Sequence, residues 1–390
     1  MEAYIIKAYR SAIGKSGKGG FKNFRSDDLA IRVISHLMAE VPEILPEMID
    51  DVIVGCAYPE AEQAGQIGRQ ISLRSLGISV PGITINRYCA SGLEAIAMAV
   101  GKIRGGMGHC FIAGGVESMS LIPRTGWRYT PSYELASKNP EYMVGMGLTA
   151  EAIANKYRIT RKNADEFAYN SHRKAGAAIA AGKFRSEIVP IEVPDIRVID
   201  NKKVSSTHII DTDEGVRNDT SLEVLSKLRP VFANGGIVTA GNSSQTSDGA
   251  AFHLVVSEVI VKRFNLKPIA RLITSAVGGV DPLLMGIGPC VAIPKALKQA
   301  GMKLSDIQQI ELNEAFAVQA LAVIQEAGLD PDIVNLNGGA VALGHPLGCT
   351  GAILSMKLLN EMRRRNQKYG MVTSCVGGGQ GIAGIFELFN

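Results

Sequence analysis

Six cysteines are few for 390 residues, and no two of Cys56, Cys89, Cys110, Cys290, Cys349 and Cys375 form a C-x-x-C pair. No His/Cys cluster has zinc-ligand spacing, so no metal is expected. Cysteines scattered this thinly are not a disulfide framework, which points to a reducing compartment, the cytoplasm. Apolar runs stop well short of the roughly 18 residues a membrane helix needs, so no span is expected. The net charge is only +4, too small to argue for nucleic acid or a membrane surface as partner. The start, "MEAYIIKAYRSAIG", has no cleavable-leader pattern, and "IFELFN" at the end is not a peroxisomal tripeptide. There is no G-x-S-x-G, Walker A or H-E-x-x-H motif. Gly379, Gly381 and Gly384 do satisfy G-x-G-x-x-G. A dinucleotide site would need a helix opening there and an acidic residue about 20 positions on; the chain runs into "IAGIFELFN" and stops.

What remains is a chain with 46% hydrophobic and 20% charged residues, long enough for two or three domains. Two distant stretches follow one order of elements: lead-in, strand, strand, tight turn, helix, strand, glycine turn. The first contains "PEMIDDVIVGCAYP", with a strand Asp51–Gly55, and "PGITINRYCASGLEAIAMAVGKIRGGMGHCFIAGGVESMS". The second contains "KLSDIQQIELNEAFA" and "PDIVNLNGGAVALGHPLGCTGAILSMKLLNEMRRRNQKYGMVTSCVGGGQG". Asp50 and Asp306 lie 256 residues apart, as do Cys89 and His345. A shared order at a shared offset indicates duplication, and alternating strands and helices predict a mainly parallel sheet in each half. Between the halves, Leu121 to Gln245 differs in character. It carries the single tryptophan, Trp127, a helical stretch capped by Thr160 with Asp165 and Glu166 early in it, and a polar, loop-rich tail. An excursion of that length reads as a lid or binding subdomain.

Cys89 sits between the strand-like "INRYC" and the helical "SGLEAIAMAVGKI". Free helix N–H groups and the macrodipole favour a thiolate there, although a lone cysteine is more often a small buried hydrophobe. His345, in "GGAVALGHPLGCTGA", occupies the equivalent turn of the second half, where pseudo-twofold symmetry would bring it to Cys89 as a base. Cys375 ends a strand and precedes Gly377–Gly379, whose N–H groups suit an anion nest. Asn313 in "ELNEAFA" also ends a strand, with an amide able to hold water or donate to an oxyanion.

Taken in order, "NRYCASGLEAIA", "NEAFA", "GGAVALGHPLGCTGA" and "CVGGGQG" resemble the thiolase family over almost the whole chain. The resemblance implies an α/β fold with a five-layered αβαβα core from two duplicated halves and an inserted loop domain. The halves would be residues 1–120 with 246–268 and residues 269–390, the insertion 121–245. It implies 3-ketoacyl-CoA, acetyl-CoA and CoA as the molecules bound, with CoA a co-substrate rather than a tightly held cofactor. Ser244 in "AGNSS" matches the serine approaching the pantetheine, and Arg217 stands where an arginine contacts the nucleotide. Cys89 would carry the acyl group, His345 would activate it, and Cys375 would move the second proton. Asn313 with His345, and the N–H groups of Cys89 and Gly377, would form two oxyanion holes. A homodimer or homotetramer is implied, as is a hydratase/dehydrogenase subunit as a candidate partner in β-oxidation.

In "YMVGMGLTAEA", Gly145 holds the place where acetoacetyl-specific biosynthetic members carry histidine. The extra room favours a degradative enzyme, an acetyl-CoA C-acyltransferase, over an acetyl-CoA C-acetyltransferase working in the condensing direction. A decarboxylating ketoacyl synthase would pair its cysteine with two histidines, and a silent scaffold would lack one of the polar positions. Neither fits.

Overall fold

The computed structural model describes residues 1–123, 125–199 and 201–389. Its main sheet runs Gly82–Ile85, Asp51–Gly55, Cys110–Ser118, Ser247–Ser257, Ala3–Arg10 through the first half. It continues Ala270–Gly279, Gln380–Leu388, Tyr369–Val376, Gln309–Leu312 through the second. The second half mirrors the first, and Val334 bridges Ile310 in parallel where Gly82–Ile85 stands in the first half. Within the sheet the halves join through one pair, Ile5 with Ala270.

The expected mainly parallel sheet is not what forms. Asp51–Gly55 is parallel to both neighbours, and Gln309–Leu312 is parallel to Tyr369–Val376. The remaining pairings are antiparallel. Connection length decides this, because a parallel crossover needs about a dozen residues or more. Only Gly377, Gly378 and Gly379 separate Tyr369–Val376 from Gln380–Leu388. Gly378 and Gly379 take φ of +80° to close that turn. At the matching place in the first half, the chain leaves the sheet after Ser118 and rejoins it at Ser247.

Helices Ser91–Arg104 and Leu347–Arg364 pack on each other between the two half-sheets. From Gly348 to Leu359 every residue is buried, as befits a helix with protein on all sides. Ser26–Ala39 covers the outer face of the first half, Gly288–Ala300 that of the second. The result is helix, sheet, helix, sheet, helix. Cys110–Ser118 and Ser247–Ser257 are buried at every position, which is why neither alternates polar with apolar residues.

Residues between Ser118 and Ser247 add the helix Arg161–Ala180 and a two-stranded hairpin, Ile191–Ile199 with Lys202–Ile210. Thr160 caps that helix in a capping box with Asn163. Asp165 is not a first-turn acid, as its position after Thr160 suggested, but pairs with Arg161 at 2.8 Å and accepts from Asn242 at 3.0 Å. Buried Arg10 ties this excursion to the core, with Glu187 at 2.8 Å and Asp213 at 2.6 Å. No helix among the described residues is long and apolar enough to cross a membrane. The G-x-G-x-x-G stretch runs from the turn at Gly379 into the strand Gln380–Leu388, so no helix opens there to receive a pyrophosphate.

Candidate active site

Cys89 occupies a short 3₁₀ turn, Tyr88–Ala90, directly ahead of the helix Ser91–Arg104. Asn86 shapes the turn. Its side chain donates to the Ala57 carbonyl at 2.8 Å and accepts from the Tyr88 N–H at 2.8 Å, while Tyr88 takes φ of +43°. The half-buried Cys89 sulfur feels the Gly377 N–H and its own N–H beside it. Both favour a thiolate, as the helix N-terminus does. Burial outweighs them and pushes the thiol up to about 11. Cys375, fully buried at the end of its strand, is close enough to feel the charge of Cys89, and burial raises it well above an ordinary thiol.

His345 precedes the other central helix and is 5% exposed. Its Nδ1 lies 2.7 Å from the Thr350 hydroxyl, and that hydroxyl donates to the Pro346 carbonyl at 2.8 Å. A hydroxyl has one proton to give, so Thr350 must accept from Nδ1–H. Nε2 is therefore the bare nitrogen, 3.2 Å from the Asn313 amide nitrogen, which donates to it. Burial pulls the imidazole down to about 4. It rests neutral, with its lone pair on the Asn313 side.

The pairs converge through backbone. The Asn313 N–H donates to Thr373 at 2.9 Å, two residues before Cys375. His345 hangs on the Gln245 carbonyl at 3.0 Å, beside Ser244. The two central helices cross near their N-termini, where a Cβ on Gly92 would lie 2.7 Å from the Ala352 nitrogen. Among the described residues no hydrogen bond joins Cys89 to His345. A neutral thiol beside two thiolate-favouring N–H groups, and a bare imidazole nitrogen ahead of the other central helix, are groups that acyl transfer through sulfur can use.

The model of the thiolase N-terminal domain matches residues 3–259, and that of the thiolase C-terminal domain matches residues 266–388. The chain belongs to the thiolase family. It is 49% identical over 389 residues to a 3-ketoacyl-CoA thiolase of Bacillus subtilis (strain 168), covering 99% of each chain. It is 42% identical over 390 residues to the peroxisomal 3-ketoacyl-CoA thiolase A of Rattus norvegicus, covering 99% of this chain and 88% of that one. The crystal structure of the Bacillus anthracis acetyl-CoA acetyltransferase matches with a TM-score of 0.89 at 38% identity, covering 100% of this chain and 99% of that one.

Of the other residues singled out in this thiolase, Ser244 lies at the Asn313 turn, its N–H donating to Ala315 at 3.0 Å. Arg217 makes no hydrogen bond or ion pair with the rest of the group among the described residues; its N–H donates to His172 on the helix Arg161–Ala180 at 3.1 Å. A Cβ on Gly145 would meet nothing within 4 Å. The next residue, Met146, puts its sulfur 3.7 Å from where a Gly377 Cβ would lie. Two residues of the site escape a reading of the sequence. Thr350 sets the imidazole tautomer, and its only signal is a threonine one turn after a histidine at a helix start. Glu117 is a lone acid in an apolar strand, "CFIAGGVES".

Proposed function

We propose that this thiolase is an acetyl-CoA C-acyltransferase that cleaves 3-ketoacyl-CoA with CoA, giving acetyl-CoA and a shortened acyl-CoA, in fatty acid β-oxidation. The observation that carries the reading is the Cys89 sulfur under the Gly377 N–H with Cys375 beside it. His345 Nε2 takes the Cys89 proton as the sulfur attacks the keto carbonyl, and the oxyanion is held by the N–H groups of Cys89 and Gly377. The Cα–Cβ bond then breaks. Its electron pair passes to the acetyl-CoA enolate, whose oxygen faces His345 and a water on Asn313, and the Cys375 thiol protonates the carbon. Incoming CoA returns a proton to Cys375 and attacks the acyl-sulfur carbonyl. Cys89 leaves and recovers its proton from His345, closing a ping-pong cycle.

Residues 121–245, inserted between 1–120 and 246–268, are the unit that cradles CoA in this reading, with Ser244 at the pantetheine and Arg217 at the nucleotide. Residues 269–390 form the second half. A homodimer or homotetramer, and a hydratase/dehydrogenase partner, belong to the same reading. The cytoplasm does too, and six unpaired cysteines suit a reducing compartment.

The open space at Gly145 favours long acyl groups over acetoacetyl-CoA alone. Thiolysis of C8–C12 3-ketoacyl-CoA, compared with the four-carbon substrate, tests this. The longer substrates are expected to turn over and Cys89→Ala to abolish acyl transfer. Activity confined to four carbons would restore the condensing acetyltransferase, and an active Cys89→Ala would remove the nucleophile assignment.

A further inference from the structure

Glu117 takes no part in the steps above, yet it is fully buried beside the nucleophile. One carboxylate oxygen accepts from the Ala57 N–H and the Gly348 N–H, each at 2.8 Å. The other accepts from the Gln63 amide at 2.9 Å and the Tyr58 N–H at 3.3 Å. No Lys or Arg pairs with it among the described residues. The Cys56 thiol also donates to it at 3.8 Å, so its donors come from both halves of the molecule, four from the first and Gly348 from the second. Gly348 is the second residue of the helix that follows His345, and its N–H is one of the terminal donors with no partner inside the helix. A carboxylate is the favourable group to place there.

We propose that Glu117 is the positioning residue that holds the Cys89 turn and the His345 helix in register with each other. This rests on the thiolytic reading above. The path to Cys89 is short: from Glu117 through Ala57 to the Asn86 side chain, and from Asn86 to the Tyr88 N–H. Tyr88, in the left-handed region at φ +43°, is a bulky residue that keeps this conformation only because its surroundings hold it. Cys89 is the next residue. On the opposite side, Gly348 cannot drift toward the sheet, since even a Cβ there would lie 2.6 Å from the Val116 carbonyl and 2.8 Å from the Cys56 Cα. One side chain thus clamps two turns that come from sequence segments more than 200 residues apart.

Glu117→Gln keeps the shape but leaves one accepting oxygen for four N–H donors, and its own amide protons face two of them. In folded E117Q, kcat for 3-ketoacyl-CoA thiolysis is expected to fall about 10²-fold, the scale set by small misplacements of reacting groups. KM should stay within about twofold, because substrate binding is untouched. Glu117→Asp, which keeps both oxygens, should recover part of the loss. Asn86→Ala, one link along the path, should reproduce the kcat loss by itself and keeps the proposal testable if E117Q does not fold. The double variant should lose no more than the worse single, as residues on one path do. Hydrogen exchange supplies a readout without substrate: segments 86–90 and 346–350 should both exchange about tenfold faster in E117Q, and segment 86–90 alone in N86A. Wild-type kcat in folded E117Q or N86A, multiplying losses in the double variant, or faster exchange on one side alone in E117Q would each overturn the proposal. A wild-type enzyme that cleaves no 3-ketoacyl-CoA would overturn the function instead, leaving the exchange result to judge Glu117.

Discussion

Cys89 and His345 are both neutral at rest, and this sets how their chemistry must begin. Burial holds the imidazole at about 4 and the thiol at about 11, so across the range between them neither group carries charge before substrate arrives. Charge is then created as the new bond forms, with the proton crossing while the sulfur attacks. Alkylation of Cys89 by iodoacetamide in the free enzyme should therefore climb about tenfold per pH unit from pH 7 to 9.5, following the thiolate fraction. A plateau above pH 6 would reveal a standing thiolate–imidazolium pair and refute the neutral resting state. Thr350 is the other lever, because it commits Nδ1 to the proton and leaves Nε2 free. Thr350→Val should lower kcat by about 10²-fold, the usual worth of a well-placed base, and Thr350→Ser should restore it. Unchanged turnover in the valine variant would mean that something else sets the tautomer. Cys89, His345, Cys375 and Asn313 could be singled out in the sequence because each lies at a strand end or ahead of a helix, and all but Asn313 have glycines close by. Thr350 and Glu117 could not, since a threonine inside a helix and an acid inside a strand declare nothing until the groups converging on them are seen.

Where the two central helices cross, glycine is required at one position and free at another. A Cβ on Gly92 would meet the Ala352 nitrogen at 2.7 Å and the Ala352 Cβ at 3.2 Å, whereas one on Gly101, in the same helix, meets nothing within 4 Å. Gly92→Ala should destabilise the fold by about 1–3 kcal/mol through overpacking. Gly101→Ala should stabilise it by up to about 1 kcal/mol through helix propensity. Urea unfolding of the pair measures both, and equal signs would mean that the crossing has slack. The same crossing explains what the sequence showed of the elements. The repeated order and the 256-residue offset were visible because each half buries the same kind of helix behind the same kind of turn. Strand direction was not visible, because a run buried on both faces suits a parallel or an antiparallel neighbour equally. The glycine turn Gly377–Gly379 decides it in the second half, and its counterpart in the first is hidden by the long excursion between Ser118 and Ser247.

At the scale of the whole molecule, that excursion has to be seated firmly on the core if it is to cradle CoA as proposed above. Arg10 is the visible anchor. It contacts Asp213 through two nitrogens, at 2.6 and 3.0 Å, and Glu187 through a third at 2.8 Å, with all three side chains fully out of solvent. Backbone bonds run alongside, from the Arg10 N–H to Glu187 at 2.9 Å and from the Val189 N–H to Arg10 at 2.8 Å. Buried ion networks contribute little net stability against apolar replacements, but removing one partner strands the others without compensation. Arg10→Met leaves two carboxylates in that position and should lower the unfolding free energy by about 3–5 kcal/mol. Arg10→Lys should fall between, since an ammonium cannot match the two-nitrogen contact with Asp213. The loss should also be directional. Limited proteolysis of Arg10→Met should cut first within residues 121–245, and KM for CoA should rise while Cys89 alkylation keeps its wild-type rate. Cleavage beginning instead in the central helices, or a melting temperature equal to wild type, would mean that the excursion is held by contacts other than Arg10.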